Sequence, residues 1–163
     1  RFNYLYNREV FPEPQAVFSK AKVLPGIDGR KMSKSYGNTI PFGAGREEMW
    51  ERIRMMTTDP QRIKKTDPGH PEVCIVYAFH KVFNPEEYEE IGVRCRAGEI
   101  GCVECKKRLA EKMNALLADI HTKREELSKK PEYIKEVLDY GAQRARKEAE
   151  KNMAEVKIAM NVL

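Results

Sequence analysis

The sequence predicts a mainly α-helical protein: a helical bundle preceded by one short strand and a loop. Three observations carry that prediction. From about residue 45 onward, apolar residues recur at intervals of three and four, the spacing that lines one face of a helix. Before that point side chains alternate only once, with Val17, Ser19, Ala21 and Val23 on one face and Phe18, Lys20, Lys22 and Leu24 on the other. Turn signals fall where the pattern changes, at Pro25-Gly26, Asp28-Gly29, Thr58-Asp59-Pro60 and Asp67-Pro68-Gly69.

In order, residues 1–15 read as an irregular lead-in, because Pro12 and Pro14 exclude regular helix. The alternating run 17–24 is a strand whose pairing partners must come from sequence upstream of this chain. In open α/β sheets ligands bind at the carboxyl ends of strands, and here that position is taken by the loop after Pro25-Gly26. Glu47 and Glu48 suit the first turn of a helix whose buried face is Met49, Trp50, Ile53 and Met56. A largely apolar helix follows from Pro71 to Phe83. Asn84-Pro85-Glu86-Glu87 has the order of a helix start: cap, proline, acids. Gly98 and Gly101 bracket a turn, and the next helix runs from Cys102 to Leu127 with Leu109, Met113, Leu116, Leu117 and Ile120 inward. Pro131 opens a last long packed helix, with Ile134, Leu138, Ala142, Ala145, Ala149, Met153, Val156 and Met160 on one stripe and Gly141 as the place for a bend.

The 163 residues suffice for one domain, or one domain with an appendage. With 41% hydrophobic and 34% charged residues the chain reads as soluble, and no apolar run approaches a membrane span. No signal-peptide pattern is present, so the expected location is cytoplasmic. The chain begins Arg1-Phe2-Asn3, as if cut from something longer. A net charge of +5 and a pI near 9.0 favour a polyanionic partner only mildly.

The stretch Gly29-Arg30-Lys31-Met32-Ser33-Lys34-Ser35-Tyr36-Gly37-Asn38 holds the parts of a phosphate-binding loop. Two flexible ammonium groups and two hydroxyls can follow a polyphosphate whose charge shifts during reaction. Glycines at both ends let the backbone come close to a bound group. Two lysines and two serines by themselves read first as a solvated basic loop; their order is what singles them out. Ser33 has no histidine partner in a recognisable motif, which argues against a nucleophilic serine.

All four cysteines fall in one window, Cys74 followed by Cys95-x₆-Cys102-x₂-Cys105. The close pair opens a helix, so both thiols share a face near its positive end. Cys95 reads as part of a loop between Gly92 and Gly98, and Cys74 as a residue of the apolar helix. Disulfides need an oxidising compartment, and nothing signals export. Spacing alone leaves Cys₄ zinc, a [4Fe–4S] cluster and unliganded core cysteines all open. Of the histidines, none of His70, His80 and His121 has a spacing that implies catalysis; His80 is near the cysteines in sequence but is not expected to serve them. The basic residues between Lys106 and Lys151, among them Arg144, Arg146 and Lys147, alternate with glutamates and read first as a solvated face.

Lys31-Met32-Ser33-Lys34-Ser35 resembles the second signature loop of class I aminoacyl-tRNA synthetases. The flanks Leu24-Pro25-Gly26-Ile27-Asp28-Gly29-Arg30 and Tyr36-Gly37-Asn38 resemble the tryptophanyl-tRNA synthetase family, over its C-terminal half. The resemblance extends along the whole chain and implies two parts. Residues 1–44 would be the edge of a catalytic nucleotide-binding α/β domain, and residues 45–163 a helical anticodon-binding domain. It implies ATP-dependent activation of tryptophan, with magnesium, and transfer to tRNA(Trp). Lys34 and Lys31 would act on the leaving pyrophosphate, and Met32, Ser33 and Ser35 would complete the ATP loop. It implies a homodimer formed mostly outside this chain. It also implies a [4Fe–4S] cluster on Cys74, Cys95, Cys102 and Cys105, as in a bacterial subset with the same Cys-x₆-Cys-x₂-Cys ending. The first gap here is shorter than in that subset, as a deletion between Phe83 and Gly92 would make it. Arg144, Arg146 and Lys147 become candidates for tRNA phosphates.

The chain has no His-x-Gly-His first signature, so it is expected to be inactive alone. The rival class is a non-catalytic RNA-binding, iron–sulfur or zinc module retaining a relic loop. Tyrosyl-tRNA synthetase shares the loop, but the cysteine quartet and the turn context argue against it.

Overall fold

The structure is a computed structural model that describes residues 1–18 and 23–162. Six α-helices are described: α1 (Phe2–Tyr6), α2 (Arg46–Arg54), α3 (Ile75–Phe83), α4 (Tyr88–Arg96), α5 (Cys102–Ser128) and α6 (Pro131–Met160). The fold is mainly helical, as expected. Half of the strand expected at 17–24 falls on residues 19–22, which lie outside the described residues; residues 17, 18, 23 and 24 are not in a strand. Among the described residues the one extended pairing is an isolated antiparallel bridge between Pro25 and Lys31, at the neck of the phosphate loop. No helix is long and apolar enough to cross a membrane among the described residues.

The chain divides into two compact units, residues 18–124 and residues 1–17 with 125–163. The core of the first is built from three helices. Met49 and Ile53 of α2, Ile75, Val76 and Phe79 of α3, and Leu109, Met113 and Leu117 of α5 are all buried. Ile27 and Ile40 bring the segments on either side of the phosphate loop into the same cluster, and Met32 packs against it from within the loop. Trp50 is half-buried against this core, as its stripe position predicts. Leu116 and Ile120, expected inward on α5, are instead exposed, because the buried stripe is one residue narrower on each turn.

Local sequence explains the joints. The helix expected over residues 71–83 is broken: Pro71–Val73 form a single 3₁₀ turn, and Cys74, with extended backbone, is the N-cap of α3. Asn84-Pro85-Glu86-Glu87 does not start α4 at the proline; three turn residues intervene and the helix begins at Tyr88. Asn84 turns inward, fully buried, and its amide faces His80 Nδ1 at 3.3 Å and Glu87 Oε2 at 3.2 Å. A buried amide demands such partners, which outweighs its role as a cap. At the end of α4 the Gly98 amide bonds the Cys95 carbonyl at 3.1 Å and the Glu99 amide bonds the Arg94 carbonyl at 2.8 Å. Gly98 sits at φ +73°, which completes a Schellman stop. Cys95 therefore belongs to the last turn of a helix rather than to a loop.

In the second unit, the lead-in expected to be irregular carries the short helix α1. Asn3 organises the chain beyond that helix: its Oδ1 accepts the amides of Val10 and Phe11, both at 3.1 Å. The last helix is present over the expected span, but its stripe is not packed. Ile134, Leu138 and Met153 are exposed, and Val156 is the one buried residue described on α6.

Candidate functional site

The phosphate loop is held at its neck and across its tip. Gly29, at φ +83°, lies against Ile75, and a Cβ there would sit 3.1 Å from Ile75 Cδ1. Residues Lys34–Tyr36 make a single 3₁₀ turn closed by Gly37 at φ +62°. Arg30 pairs with Asp28 at 2.7 Å and lies over the Tyr36 ring at 4.7 Å. Arg52 of α2 donates to the Gly37 carbonyl at 2.9 Å, and the Ser33 and Ser35 hydroxyls are 2.9 Å apart. The hydrogen bond from the Asn38 amide holds the Asp28 carboxyl below its ordinary value, with Arg30 adding to the effect against partial burial. Lys31 and Lys34 are exposed, and neither has an ion-pair partner among the described residues. Two ammonium groups and two hydroxyls thus stand on a braced turn whose Met32 is anchored in the core. That arrangement can bind a polyanion.

The four cysteines come from α3's N-cap, the end of α4 and the start of α5. All are partly buried and reduced. Burial pushes the Cys74 thiol up, with the nearby backbone N–H groups of Tyr77, Val76 and Asp59 opposing it and Cys102 adding to it. Burial likewise raises Cys95, opposed by Arg62, whose Nη1 is 3.6 Å from Sγ, and reinforced by Cys74 and Cys102. Cys105 is pushed up to about 12, by burial first and then by Cys74, Cys95 and Cys102. Every pair within the quartet is therefore near enough to interact electrostatically. Yet among the described residues no three His, Cys, Asp or Glu side chains converge as ligands of one metal ion.

Around the thiols stand groups that pattern-reading missed. His80, expected to play no part, is buried with Nε2 3.1 Å from the Cys105 carbonyl and 3.5 Å from its sulfur. Burial lowers its pKa, and the Asn84 amide facing Nδ1 leaves the proton on Nε2. Asp59 Oδ2 accepts both the amide and the Nδ1 of His70 at 2.8 Å. Lys106 donates to the Arg54 and Met56 carbonyls at 2.7 and 2.8 Å, tying α5 to the end of α2. A cavity of about 470 Å³ opens beside Cys102, walled by Arg62, Lys64, Lys65, Glu104 and Lys107. Nothing in the spacing of Arg62 or Lys106 signals these contacts, since each acts across a long sequence separation.

On α6, Arg144 and Lys147 border one shallow concavity with Tyr140, and the Arg144 guanidinium lies 5.7 Å from the Tyr140 ring centre. Arg146 is two positions from Arg144, so it projects from another side of the helix. The three predicted basic residues thus do not form one patch.

Comparison with known proteins places this geometry. Residues 1–118 match the sequence model of the family described as tRNA synthetases class I (W and Y). The chain belongs to that family. Within this synthetase family it is 46% identical over 164 residues to the tryptophan–tRNA ligase of Aquifex aeolicus, covering 99% of this chain and 41% of that protein. It is also 46% identical over 165 residues to the tryptophan–tRNA ligase of Thermotoga maritima, covering 100% of this chain and 50% of that protein. The crystal structure of tryptophanyl-tRNA synthetase from Campylobacter jejuni superposes with a TM-score of 0.75 at 33% identity, over 98% of this chain and 50% of that one. The chain thus spans about half the length of the curated relatives it matches. The stretch that matches the synthetase family includes the phosphate loop and all four cysteines; the basic residues of α6 lie beyond it.

Proposed function

We propose that the chain serves as the C-terminal portion of a tryptophan–tRNA ligase, which activates tryptophan with ATP and magnesium and transfers it to tRNA(Trp). One observation carries the reading: Lys31–Ser35 presents two free ammonium groups and two hydroxyls on a braced turn, in a chain 46% identical to tryptophan–tRNA ligases. A relative with the same fold has been crystallised with ADP and tryptophane. In this reading residues 1–44 are the edge of the catalytic domain and residues 45–163 the helical tRNA-binding domain. Lys34, assisted by Lys31, Ser33 and Ser35, neutralises charge on the departing pyrophosphate, and Met32 anchors the loop. Dimerisation rests mostly on the remainder of the enzyme, and the cytoplasm is the place of work. The basic cavity beside Cys102 supports an RNA partner over a purely structural role.

The cysteines would hold a [4Fe–4S] cluster. A single zinc needs sulfurs converging to about 2.3 Å from one point, whereas a cluster has a larger body with thiolates around it. Four thiols that influence one another's ionisation support one shared group over scattered core cysteines. Against the burial that raises Cys74, Cys95 and Cys105 stand two local supports for anionic sulfur, a guanidinium at Cys95 and the N-terminal end of α5 at Cys102. When bound, the group supplies a structural staple between α3, α4 and α5.

The test uses the full-length enzyme. Lys34→Ala lowers kcat for tryptophan-dependent ATP–pyrophosphate exchange by about 10²–10³-fold, the usual loss for one donor to developing charge. The tryptophan KM stays near its original value, because that charge builds in the transition state. A normal kcat with only a raised KM would refute the role of Lys34. Residues 1–163 alone give no exchange. Anaerobically prepared protein contains close to four irons per chain if the cluster reading holds; stoichiometric zinc would favour a Cys₄ site, and no metal at all would leave core cysteines.

A further inference from the structure

Asn38 is the most enclosed polar side chain of the phosphate loop, 2% exposed. Its Nδ2 donates to Asp28 Oδ1 at 2.8 Å and to the Lys31 carbonyl at 3.1 Å. Its Oδ1 accepts the Ser33 amide at 2.8 Å, and its own carbonyl accepts the Ile27 amide at 3.0 Å. Both amide hydrogens and the amide oxygen are therefore used. The orientation is fixed by its partners, because a flipped amide would set NH₂ against the Ser33 N–H and oxygen against the Lys31 carbonyl. Room for this side chain is made by Gly26, where a Cβ would lie 2.3 Å from Asn38 Nδ2 and 2.5 Å from its Cγ. Gly26 is itself locked into the neck, donating to the Arg30 carbonyl at 2.8 Å.

We propose that Asn38 is the positioning residue of the phosphate loop: gripping the Lys31 carbonyl and the Ser33 amide against Asp28, it sets where the Lys31 and Lys34 ammonium groups stand during pyrophosphate release. The inference rests on the reading of this loop as the pyrophosphate-binding loop. The residues gripped are the first and third of the five that carry the chemistry, so a shift of the amide displaces the backbone on both sides of Met32. A side chain that merely stapled a turn would contribute stability and leave the chemical step alone. A positioning residue controls the alignment of charged groups, where a misplacement of about 1 Å costs on the order of 10²-fold in rate.

The experiment is ATP–pyrophosphate exchange by the full-length enzyme, with Lys34→Ala as the benchmark. Asn38→Ala should lower kcat by about tenfold to hundredfold and leave the tryptophan KM within about twofold. Asn38→Asp, which sets a second carboxylate against Asp28, should fall at least as far. Adding Asp28→Asn to Asn38→Asp relieves the carboxylate pair but still leaves an oxygen facing the Lys31 carbonyl, so only part of the loss should return. If Asn38→Ala does not fold, the Asn38→Asp variant and its rescue carry the test alone. A loss with Lys34→Ala but none with the Asn38 variants overturns the positioning role and leaves the loop reading standing. A parallel change in kcat and tryptophan KM, or a double variant that recovers the full kcat with the Lys31 carbonyl left without its donor, also overturns it. An unchanged kcat for Lys34→Ala instead removes the loop reading beneath it.

Discussion

Substituting Gly98 by alanine should be one of the most damaging single-methyl changes in residues 18–124. Gly98 ends α4 at φ +73°, where a residue with a Cβ costs about 1–2 kcal/mol. The added Cβ would also lie 2.4 Å from the Thr66 carbonyl oxygen and 3.0 Å from its carbon. Both are backbone atoms of the turn that packs on the helix end, so neither can swing aside as a side chain would. Forcing them apart adds about 1–3 kcal/mol, the usual cost of overpacking. Gly37 provides the control, because it has φ +62° but nothing within 4 Å of the position a Cβ would take. Gly37→Ala should therefore cost only the conformational part, and the difference between the variants isolates the overlap. Urea unfolding followed by circular dichroism measures both, with Gly98→Ala expected about 1–3 kcal/mol below Gly37→Ala. Equal losses would refute the argument that the Thr66 backbone is rigidly docked under the α4 stop.

Gly69→Ala probes the neighbouring contact: its Cβ would lie 2.6 Å from Cys95 Sγ, a side-chain atom that can rotate away for about 0.5–1.5 kcal/mol. The expected result is a nearly unchanged unfolding midpoint and, if the quartet holds the proposed cluster, a clear fall in iron per chain, measured on anaerobically purified protein. Glu87 is held below its ordinary value by the hydrogen bond from Lys112, 2.9 Å away, and then by Asn84. A lowered folded-state pKa gives stability that is present above the ordinary value of 4.5 and lost as pH falls through the folded value. A double-mutant cycle of Glu87→Gln and Lys112→Met should give a small favourable coupling at pH 7 for this solvent-screened pair, vanishing in strong acid. Neutralising Arg144, Arg146 and Lys147 together should flatten the salt dependence of tRNA binding by fewer units than the about 2–3 that three phosphate contacts would give, since the three do not share one side of α6.

How much was legible in the sequence differs by element. The α2 and α5 faces were readable because their buried residues repeat every three or four positions and no buried polar group interferes. The 71–83 segment was misread because hydrophobicity does not reveal that the backbone is extended at Cys74, the N-cap position of the following helix. Asn84 likewise carried a cap's signature, but burial beside His80 gave it a different task. On α6 the apolar stripe was correctly periodic, yet periodicity reports a helical face and not whether anything covers it. The phosphate loop was legible as a string of residue types; the bracing by Asn38 and Arg52 was not, because hydrogen bonds across a loop leave no period. The cysteine quartet was visible as spacing, whereas its Arg62, His80 and Asp59 surroundings are assembled by tertiary contact.

Cys74 has a double engagement that reaches beyond one molecule. It is a candidate ligand and also the N-cap residue of α3, where its side chain makes no capping hydrogen bond. A lineage that abandoned the quartet could let positions 95, 102 and 105 drift toward small apolar residues at little cost. Position 74 has a second use, since a side-chain oxygen at an N-cap would accept α3 amides that the thiol leaves unbonded, a gain of about 1 kcal/mol. The favoured descendants there are Ser, Thr, Asp and Asn, which put an acceptor in place. A polar cap at this position beside apolar residues at the other three would be the fossil of a lost metal site.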